Sequence, residues 1–83
     1  MKVWKFKLHH LGQGLINLPA GARIISAGID LDQRLCIWAE CPSSSLWKAQ
    51  SVHVAYTGDD VPAGMKFLAT VTGNLIYHIY IKS

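Results

Sequence analysis

The segment KFLATVTGNLIYHIYIK, residues 66–82, decides the fold class of this 83-residue chain. β-Branched and aromatic residues fill both halves of the segment, and such residues favour strands. Gly73 and Asn74 separate the halves and are typical of a two-residue hairpin turn with positive φ. The segment therefore predicts two antiparallel strands, Lys66–Thr72 and Leu75–Lys82, joined by a tight turn.

The same period-two alternation recurs upstream of this hairpin. At the start of the chain, Trp4, Phe6 and Leu8 fall on one face, and we predict that Trp4 packs in the core. Residues 9–14 are glycine-containing and predict a flexible connection. No stretch shows sustained helical periodicity, so we predict one all-β domain over residues 1–83, either a small antiparallel β-barrel or a two-layer β-sandwich of about seven strands. The remaining predicted strands are Lys2–Leu8, Leu15–Leu18, Arg23–Leu31, Arg34–Cys41 and Lys48–Thr57, with a tight turn at Asp32-Gln33.

The predicted strand Arg23–Leu31 contains a glycine in its interior. Gly28 indicates either a β-bulge or a close approach of another group to the backbone. The alternation along the strand predicts that one face carries four apolar residues, Ile25, Ala27, Ile29 and Leu31.

The composition indicates that the protein buries part of its surface against another copy of the same chain. Hydrophobic residues make up 51% of the sequence and charged residues 16%, whereas ordinary soluble domains carry about 25% charged residues. A domain of 83 residues has a large surface for its volume, so this composition fits poorly with an isolated monomer. We therefore expect a homo-oligomer.

The charge and the cysteines indicate the cellular compartment and argue against a dedicated nucleic-acid-binding protein. The net charge of +3 arises from eight Lys and Arg against five acids, which is far from the footprint of a dedicated nucleic-acid-binding protein. Cys36 and Cys41 lie in one predicted strand on opposite faces, so they cannot pair with each other. The sequence shows no signal peptide and no run of the ~18 apolar residues that a membrane span needs. We expect a cytoplasmic protein with free thiols and no membrane partner.

No motif indicates catalysis or metal binding. The four histidines do not show the spacing of zinc ligands, and no serine sits in a Gly-x-Ser-x-Gly elbow. Gly12 and Gly14 lack the third glycine and the βαβ context of a dinucleotide-binding loop. We therefore expect no enzymatic activity, no cofactor and no metal site.

Arg34 and Trp38 form one half of a candidate ligand-binding site. They share a face of the predicted strand Arg34–Cys41, and an indole near a guanidinium suits a nucleotide base and its phosphate. The commoner alternative for Trp38 is packing against a neighbouring subunit or a second sheet. A glycine-bearing loop supplies exposed N–H groups for the other half, which consists of His53, Thr57, Gly58, Asp59 and Asp60.

Six short motifs follow one another along the chain: KVWKF (2–6), LPAGARIIS (18–26), LCIWA (35–39), VAYTG (54–58), FLATV (67–71) and HIY (78–80). Together they resemble a family of small uncharacterised proteins that are common in bacteriophages and prophages, and the match spans nearly the whole chain. The family tends to read Gly-Thr-Gly-His-Pro where this chain has YTGDD at residues 56–60. That departure affects the specificity of this loop if it binds a ligand.

The resemblance implies a phage setting and carries no established activity. Compact phage proteins without catalytic residues are often directed at host immunity. We therefore expect a phage-encoded, non-enzymatic binding protein that acts in counter-defence by sequestering a nucleotide-derived host immune signalling molecule. One alternative is a protein-interaction or structural phage factor that binds a host or virion protein. A second alternative is a small nucleic-acid-binding module.

Overall fold

The computed structural model describes residues 1–44 and 46–82, and these residues form seven strands and no helix. The strands make two antiparallel sheets. One sheet has three strands, in the order β1 (Lys2–Lys7), β4 (Leu35–Cys41) and β3 (Arg23–Ile29). The other has four strands, in the order β2 (Gly12–Pro19), β5 (Trp47–Tyr56), β7 (Ile76–Ile81) and β6 (Lys66–Thr72).

The two sheets form a flat sandwich, which confirms the predicted all-β class. The Cα trace measures 38 × 31 × 17 Å, and stacked sheets lie ~10 Å apart. The thin dimension therefore leaves room for a single layer of side chains between the sheets. That layer is aliphatic, and its buried members are Leu8, Leu18, Ile37, Val52, Val54, Val71 and Ile79.

The β6–β7 hairpin is present, but its turn differs from the prediction. Lys66–Thr72 is a strand as predicted, whereas the following strand begins at Ile76. The backbone N–H of Gly73 donates a hydrogen bond to the carbonyl of Leu75 at 2.9 Å, and neither Gly73 nor Asn74 has positive φ. The prediction of a two-residue turn with positive φ is therefore wrong, because Leu75 belongs to the turn and lengthens it.

Strand β2 is longer than predicted. It begins at Gly12, which has a φ of 73°, and residues 12–14 pair with β5. The predicted flexible connection therefore ends at residue 11. Glycine has a low intrinsic preference for strands, but pairing with a neighbouring strand outweighs it here.

A β-bulge in β3 changes which of its residues face the core. The register with β4 shifts between Ile24 and Ser26, so the extra residue reverses the alternation on one side of the bulge. Ile24 packs against the core, while Ile25 and Leu31 are exposed. The predicted apolar face is therefore wrong for Ile25, because of the bulge, and for Leu31, because β3 ends at Ile29 and Leu31 lies in the turn that follows. Gly28 confirms the close-approach prediction, because a Cβ at this position would lie 3.4 Å from Cζ3 of the Trp38 indole.

Asp30 fixes the turn that joins β3 to β4. Its Oδ1 accepts hydrogen bonds from the backbone N–H groups of Asp32 and Arg34, each at 2.9 Å. Its Oδ2 accepts hydrogen bonds from Lys5 Nζ at 2.9 Å and from Cys36 Sγ at 3.4 Å. These donors, the Arg34 N–H most of all and then Lys5, hold the pKa of the Asp30 carboxyl well below its ordinary value of 3.8.

The Asp30 contacts predict a pH-dependent loss of stability. Because the folded protein lowers the carboxyl pKa, the ionised carboxylate stabilises the fold above the ordinary pKa of 3.8, and this contribution is lost as the pH falls below that value. Asp30→Asn should lower the melting temperature at pH 7, and the difference from wild type should shrink towards pH 3. Thermal unfolding followed by circular dichroism between pH 3 and pH 7 measures both effects.

Asp32→Asn is the matched control, because the Asp32 residue is exposed and gives Asp30 only its backbone N–H. It should melt close to wild type at every pH. An Asp30→Asn protein that melts like the Asp32→Asn protein at pH 7 would show that the carboxylate does not hold the turn.

Candidate functional site

A cleft of about 270 Å³ opens between the two sheets at one end of the sandwich. Residues from β1 and β4 on one sheet and from β2 and β5 on the other line it. We call it the tryptophan cleft. The lining residues that bear on its chemistry are Lys2, Trp4, Pro19, Cys41, Ser43 and Trp47.

The strand β1 supplies the cleft with a cation and an indole. Lys2 and Trp4 are two residues apart on this strand, so their side chains share a face. Lys2 lies opposite Cys41 and Trp4 lies opposite Ala39 in the ladder with β4. Neither of the two salt bridges found in residues 1–44 and 46–82 involves Lys2.

Strand β5 supplies the second indole. Trp47 is the first residue of this strand and lies opposite Pro19 of β2. Two hydrogen bonds fix the chain just before it: the Ala20 N–H donates to the Leu46 carbonyl at 2.9 Å, and the Leu46 N–H donates to Ser44 Oγ at 3.1 Å. The backbone next to Trp47 is therefore held in place where its side chain lines the cleft.

Both indoles of the cleft are half exposed. The exposed fractions are 49% for Trp4 and 55% for Trp47. The prediction that Trp4 packs in the core is therefore wrong. Its face of β1 is the inward one, but β1 is an edge strand, and the single aliphatic layer does not extend to cover a side chain this large.

Arg34 and Trp38, one half of the predicted site, lie on the three-stranded sheet. Trp38 alternates with the buried residues Ile37 and Ala39 of β4, so it occupies the outer face of this sheet. Its indole lies over Gly28 of the neighbouring strand. The Trp38 indole therefore packs on its own sheet, and Arg34 is exposed.

The other half of the predicted site belongs to the four-stranded sheet. His53 alternates with the buried residues Val52 and Val54 of β5, and Thr57, Gly58, Asp59 and Asp60 follow the end of that strand. The outer faces of two stacked sheets look in opposite directions. The structure therefore does not bring the His53 half of the site together with Arg34 and Trp38 within one subunit.

Acidic groups surround the exposed side of Trp38. An open depression beside the indole is lined by Lys5, Asp30 and Asp32. The ammonium group of Lys5 is already paired with Asp30, and this bond raises the pKa of the lysine. The surroundings of Trp38 therefore disfavour a phosphate unless Arg34 compensates.

The predicted loop after β5 has its own internal contacts. Oδ2 of Asp59 accepts a hydrogen bond from the Tyr56 N–H at 2.9 Å, and the Asp59 N–H donates to the Tyr56 carbonyl at 3.1 Å. Gly58 supplies the positive φ of 97° that the turn requires. Asp59 therefore stabilises the turn, whereas Asp60 is exposed.

A histidine that the sequence did not single out links Thr57 to the four-stranded sheet. Nε2 of His78 lies 2.7 Å from Oγ1 of Thr57, and Nδ1 lies 3.0 Å from Oγ1 of Thr70. His53 is different, because it is buried and its Nδ1 has no hydrogen-bond partner in the part of the chain that the structure describes.

Across residues 1–44 and 46–82, no helix has the length and apolarity to cross a membrane. The same residues contain no group of three or more His, Cys, Asp or Glu that is placed to hold a metal ion.

The fold and the cleft define a small all-β sandwich domain with an aromatic-lined opening. Residues 1–83 match the model of a domain of unknown function, DUF7352, and the chain belongs to this family. No curated protein and no solved structure matches the chain. The phage setting implied by the motif resemblance stays a prediction.

The sequence contained a partial signal for the tryptophan cleft. Three indoles in 83 residues are many for so small a core, and Lys2 and Trp4 stand at the two-residue spacing of one strand face. The presence of Trp4 and Trp47 in one cleft has no sequence signal, because it arises only when the two sheets stack.

The position of the two cysteines predicts an order of chemical modification. Cys41 is 5% exposed and lines the cleft, whereas Cys36 is fully buried. Burial, followed by the hydrogen bond to Asp30, also raises the pKa of the Cys36 thiol, and a protonated thiol is a poor nucleophile. N-ethylmaleimide should therefore label Cys41 before Cys36, and both thiols should react once the protein is unfolded. Peptide mass spectrometry over time measures the order.

Cys41→Ser serves as the control for that order and should leave only slow labelling in the folded protein. Faster labelling of Cys36, or fewer than two reactive thiols after unfolding without reductant, would contradict the prediction.

Proposed function

We propose that this protein is a non-enzymatic binding protein that holds a nucleotide-derived small molecule in the tryptophan cleft. The observation that supports this proposal is that two half-exposed indoles, Trp4 and Trp47, line the same opening between the sheets as the ammonium-bearing Lys2. In the phage setting implied by the motifs, the protein acts in the host cytoplasm. There it sequesters a nucleotide-derived immune signalling molecule and thereby counters the defence.

Base stacking supports a nucleotide as the ligand. An aromatic side chain that stacks on a base contributes about 1–3 kcal/mol of binding free energy. The cleft volume of about 270 Å³ lies just below the ~300–1,000 Å³ typical of small-molecule sites. The opening therefore suits one nucleotide unit, with the remainder of a larger ligand outside it.

Charge and hydroxyl groups at the cleft support an anionic ligand. Lys2 is free of the salt bridges that engage Lys5 and Arg23, so its charge is available to a phosphate. The hydroxyl group of Ser43 lies at the same opening. The tryptophan cleft therefore suits a phosphate better than the surroundings of Trp38, where Asp30 and Asp32 are present.

The arrangement of the hydroxyl and imidazole groups supports a function without catalysis. Thr57 and His78 approach to 2.7 Å, as a nucleophile and its base do. However, the second ring nitrogen of His78 contacts the hydroxyl of Thr70. In a catalytic triad, a carboxylate occupies that position and stabilises the charged imidazole. Neither Thr57 nor His78 lines the cleft.

Substitutions in the cleft test the proposal. Trp47→Ala removes a stacking surface and should weaken the binding of a nucleotide by about 1–3 kcal/mol. Lys2→Ala should weaken binding and also reduce its dependence on salt concentration, because a phosphate contact is lost. Titration calorimetry with AMP and with cyclic di-AMP measures both effects.

Arg34→Ala and Trp38→Phe are the matched controls, because they change a cation and an indole that lie outside the cleft. Both should bind as wild type does. If they lose binding while the cleft variants retain it, the ligand site is the predicted one on β4 and the cleft is not the site. A wild-type protein that binds neither nucleotide contradicts sequestration of this ligand class.

A specific observation also favours the protein-interaction alternative. Phe67 is half exposed, and its ring meets that of Tyr80 edge to face with centroids 5.5 Å apart. Exposed aromatic pairs are enriched where proteins bind each other. Native mass spectrometry of the protein purified from infected, defence-active cells distinguishes the two functions: a small retained mass supports sequestration, and a retained protein supports the interaction factor.

A further inference from the structure

The two sheets have four edge strands, of which two cover each other and two are open. Strands β3 and β6 are edges of different sheets and pack against each other. The other two edges, β1 and β2, have no comparable mutual contact. An unpaired edge presents a row of free N–H and C=O groups and readily pairs with another strand unless something blocks it.

The two open edges differ in how far they are protected, because β1 carries lysines along its length whereas the one protective residue of β2 is Pro19 at its end. Strand β1 carries Lys2, Lys5 and Lys7, and lysines on an edge oppose pairing with another strand. Strand β2 has the sequence GQGLINLP, with no charged residue, and no register shift interrupts its ladder with β5. The edge of β2 is therefore the one most suited to accept another strand.

The hydrogen bonds of Ser51 identify the outward-facing groups of β2. The Ser51 carbonyl accepts a hydrogen bond from the Lys82 N–H at 3.2 Å, at the end of β7, so it points away from β2. Ser51 lies opposite Leu15. In an antiparallel ladder, the residue opposite such a position directs its own backbone groups outward. The backbone groups of Leu15 therefore face away from β5, as do those of Gln13 and Asn17 by alternation.

We propose that β2 pairs antiparallel with β2 of a second copy of this chain, about a two-fold axis at Leu15. In this register the outward-facing backbone groups of Leu15 bond to those of the partner's Leu15. The backbone groups of Gln13 bond to those of the partner's Asn17, and the backbone groups of Asn17 bond to those of the partner's Gln13. Two four-stranded sheets then become one continuous sheet through the β2 edges.

The side chains of β2 are self-complementary in this register. Leu15 is 70% exposed and lies opposite its own copy, where each covers the other. Gln13 and Asn17 are exposed amides that lie opposite each other across the axis. Nε2 of Gln13 donates to Ser51 Oγ at 3.3 Å, and its Oε1 is able to accept a hydrogen bond from the amide of Asn17 across the axis. The net charge of +3 comes from residues outside this strand, so no like charges meet at the new ladder.

A charge placed at the two-fold axis tests the proposal. Wild type should sediment as a dimer of the 9.2 kDa chain. Leu15→Lys places two ammonium groups opposite each other and should raise the dissociation constant about tenfold or more. Leu31→Lys is the matched control, because Leu31 is 99% exposed in the β3–β4 turn, and its dimer should be unchanged. A mixture of Leu15→Lys with Leu15→Glu should restore the dimer, because the charges then attract.

Hydrogen exchange tests the register itself. The amides of Gln13, Leu15 and Asn17 should be protected at concentrations where the dimer forms and should exchange rapidly in the Leu15→Lys monomer. The amides of Gly14 and Ile16 face β5 by the same alternation and should stay protected in both.

Several results would overturn the inference. A wild-type protein that is only monomeric at micromolar concentration leaves the β2 edge free, or open to an extended segment of another protein. An oligomer that Leu15→Lys and Leu31→Lys leave equally intact, or disrupt equally, places the interface elsewhere. Circular dichroism of each variant shows that the fold persists, so a change in mass reports on assembly.

Discussion

The single aliphatic layer between the sheets is the constraint on which the rest of the molecule depends. Its buried members are leucines, valines and isoleucines, with no aromatic residue among them. A layer of this thickness accommodates branched aliphatic side chains at high density, and it has no space for an indole. The tryptophan side chains are therefore left at the end of the sandwich and on an outer face, whereas Phe6 and Tyr77 pack partly buried against the layer.

That exclusion accounts for the positions of the three tryptophans. Trp38 finds a place on the outer face because Gly28 leaves room beneath its indole. Trp4 and Trp47 come from different sheets and line one cleft at the end of the sandwich where the aliphatic layer stops. An aromatic cleft is thus a direct consequence of a small core. Leu15 and Phe67 are also exposed on the four-stranded sheet, which fits a chain that associates with another.

The sequence predicted the class of fold and most strands because alternation of apolar and polar residues is a local property. It failed at Ile25 because a bulge of one residue reverses the alternation without changing the residues themselves. It failed at Trp4 because the end of the core layer is set by how far the two sheets overlap. The contacts of Asp30 could not be predicted for a similar reason, since its donors Lys5 and Cys36 come from two different strands that only the fold brings together.

The candidate site was predicted in two halves, Arg34 with Trp38 and His53 with the loop that follows its strand. Each half is made of residues that are close in sequence. Their positions on different sheets depend on topology, which no local pattern contains.

Pro19 connects the two proposals made for this protein. It lines the tryptophan cleft opposite Trp47, and it is also the last residue of β2. In the two-fold register centred on Leu15, the residue opposite Pro19 is the partner's Leu11, which is itself half exposed. Pairing of the β2 edges therefore places the second subunit beside the wall of the cleft. If dimer formation changes this wall, nucleotide binding and pairing of the β2 edges are coupled, and each changes the affinity of the other by the same factor. Nucleotide affinity should then depend on protein concentration, because the second subunit lies beside the cleft in the dimer and is absent from the single chain.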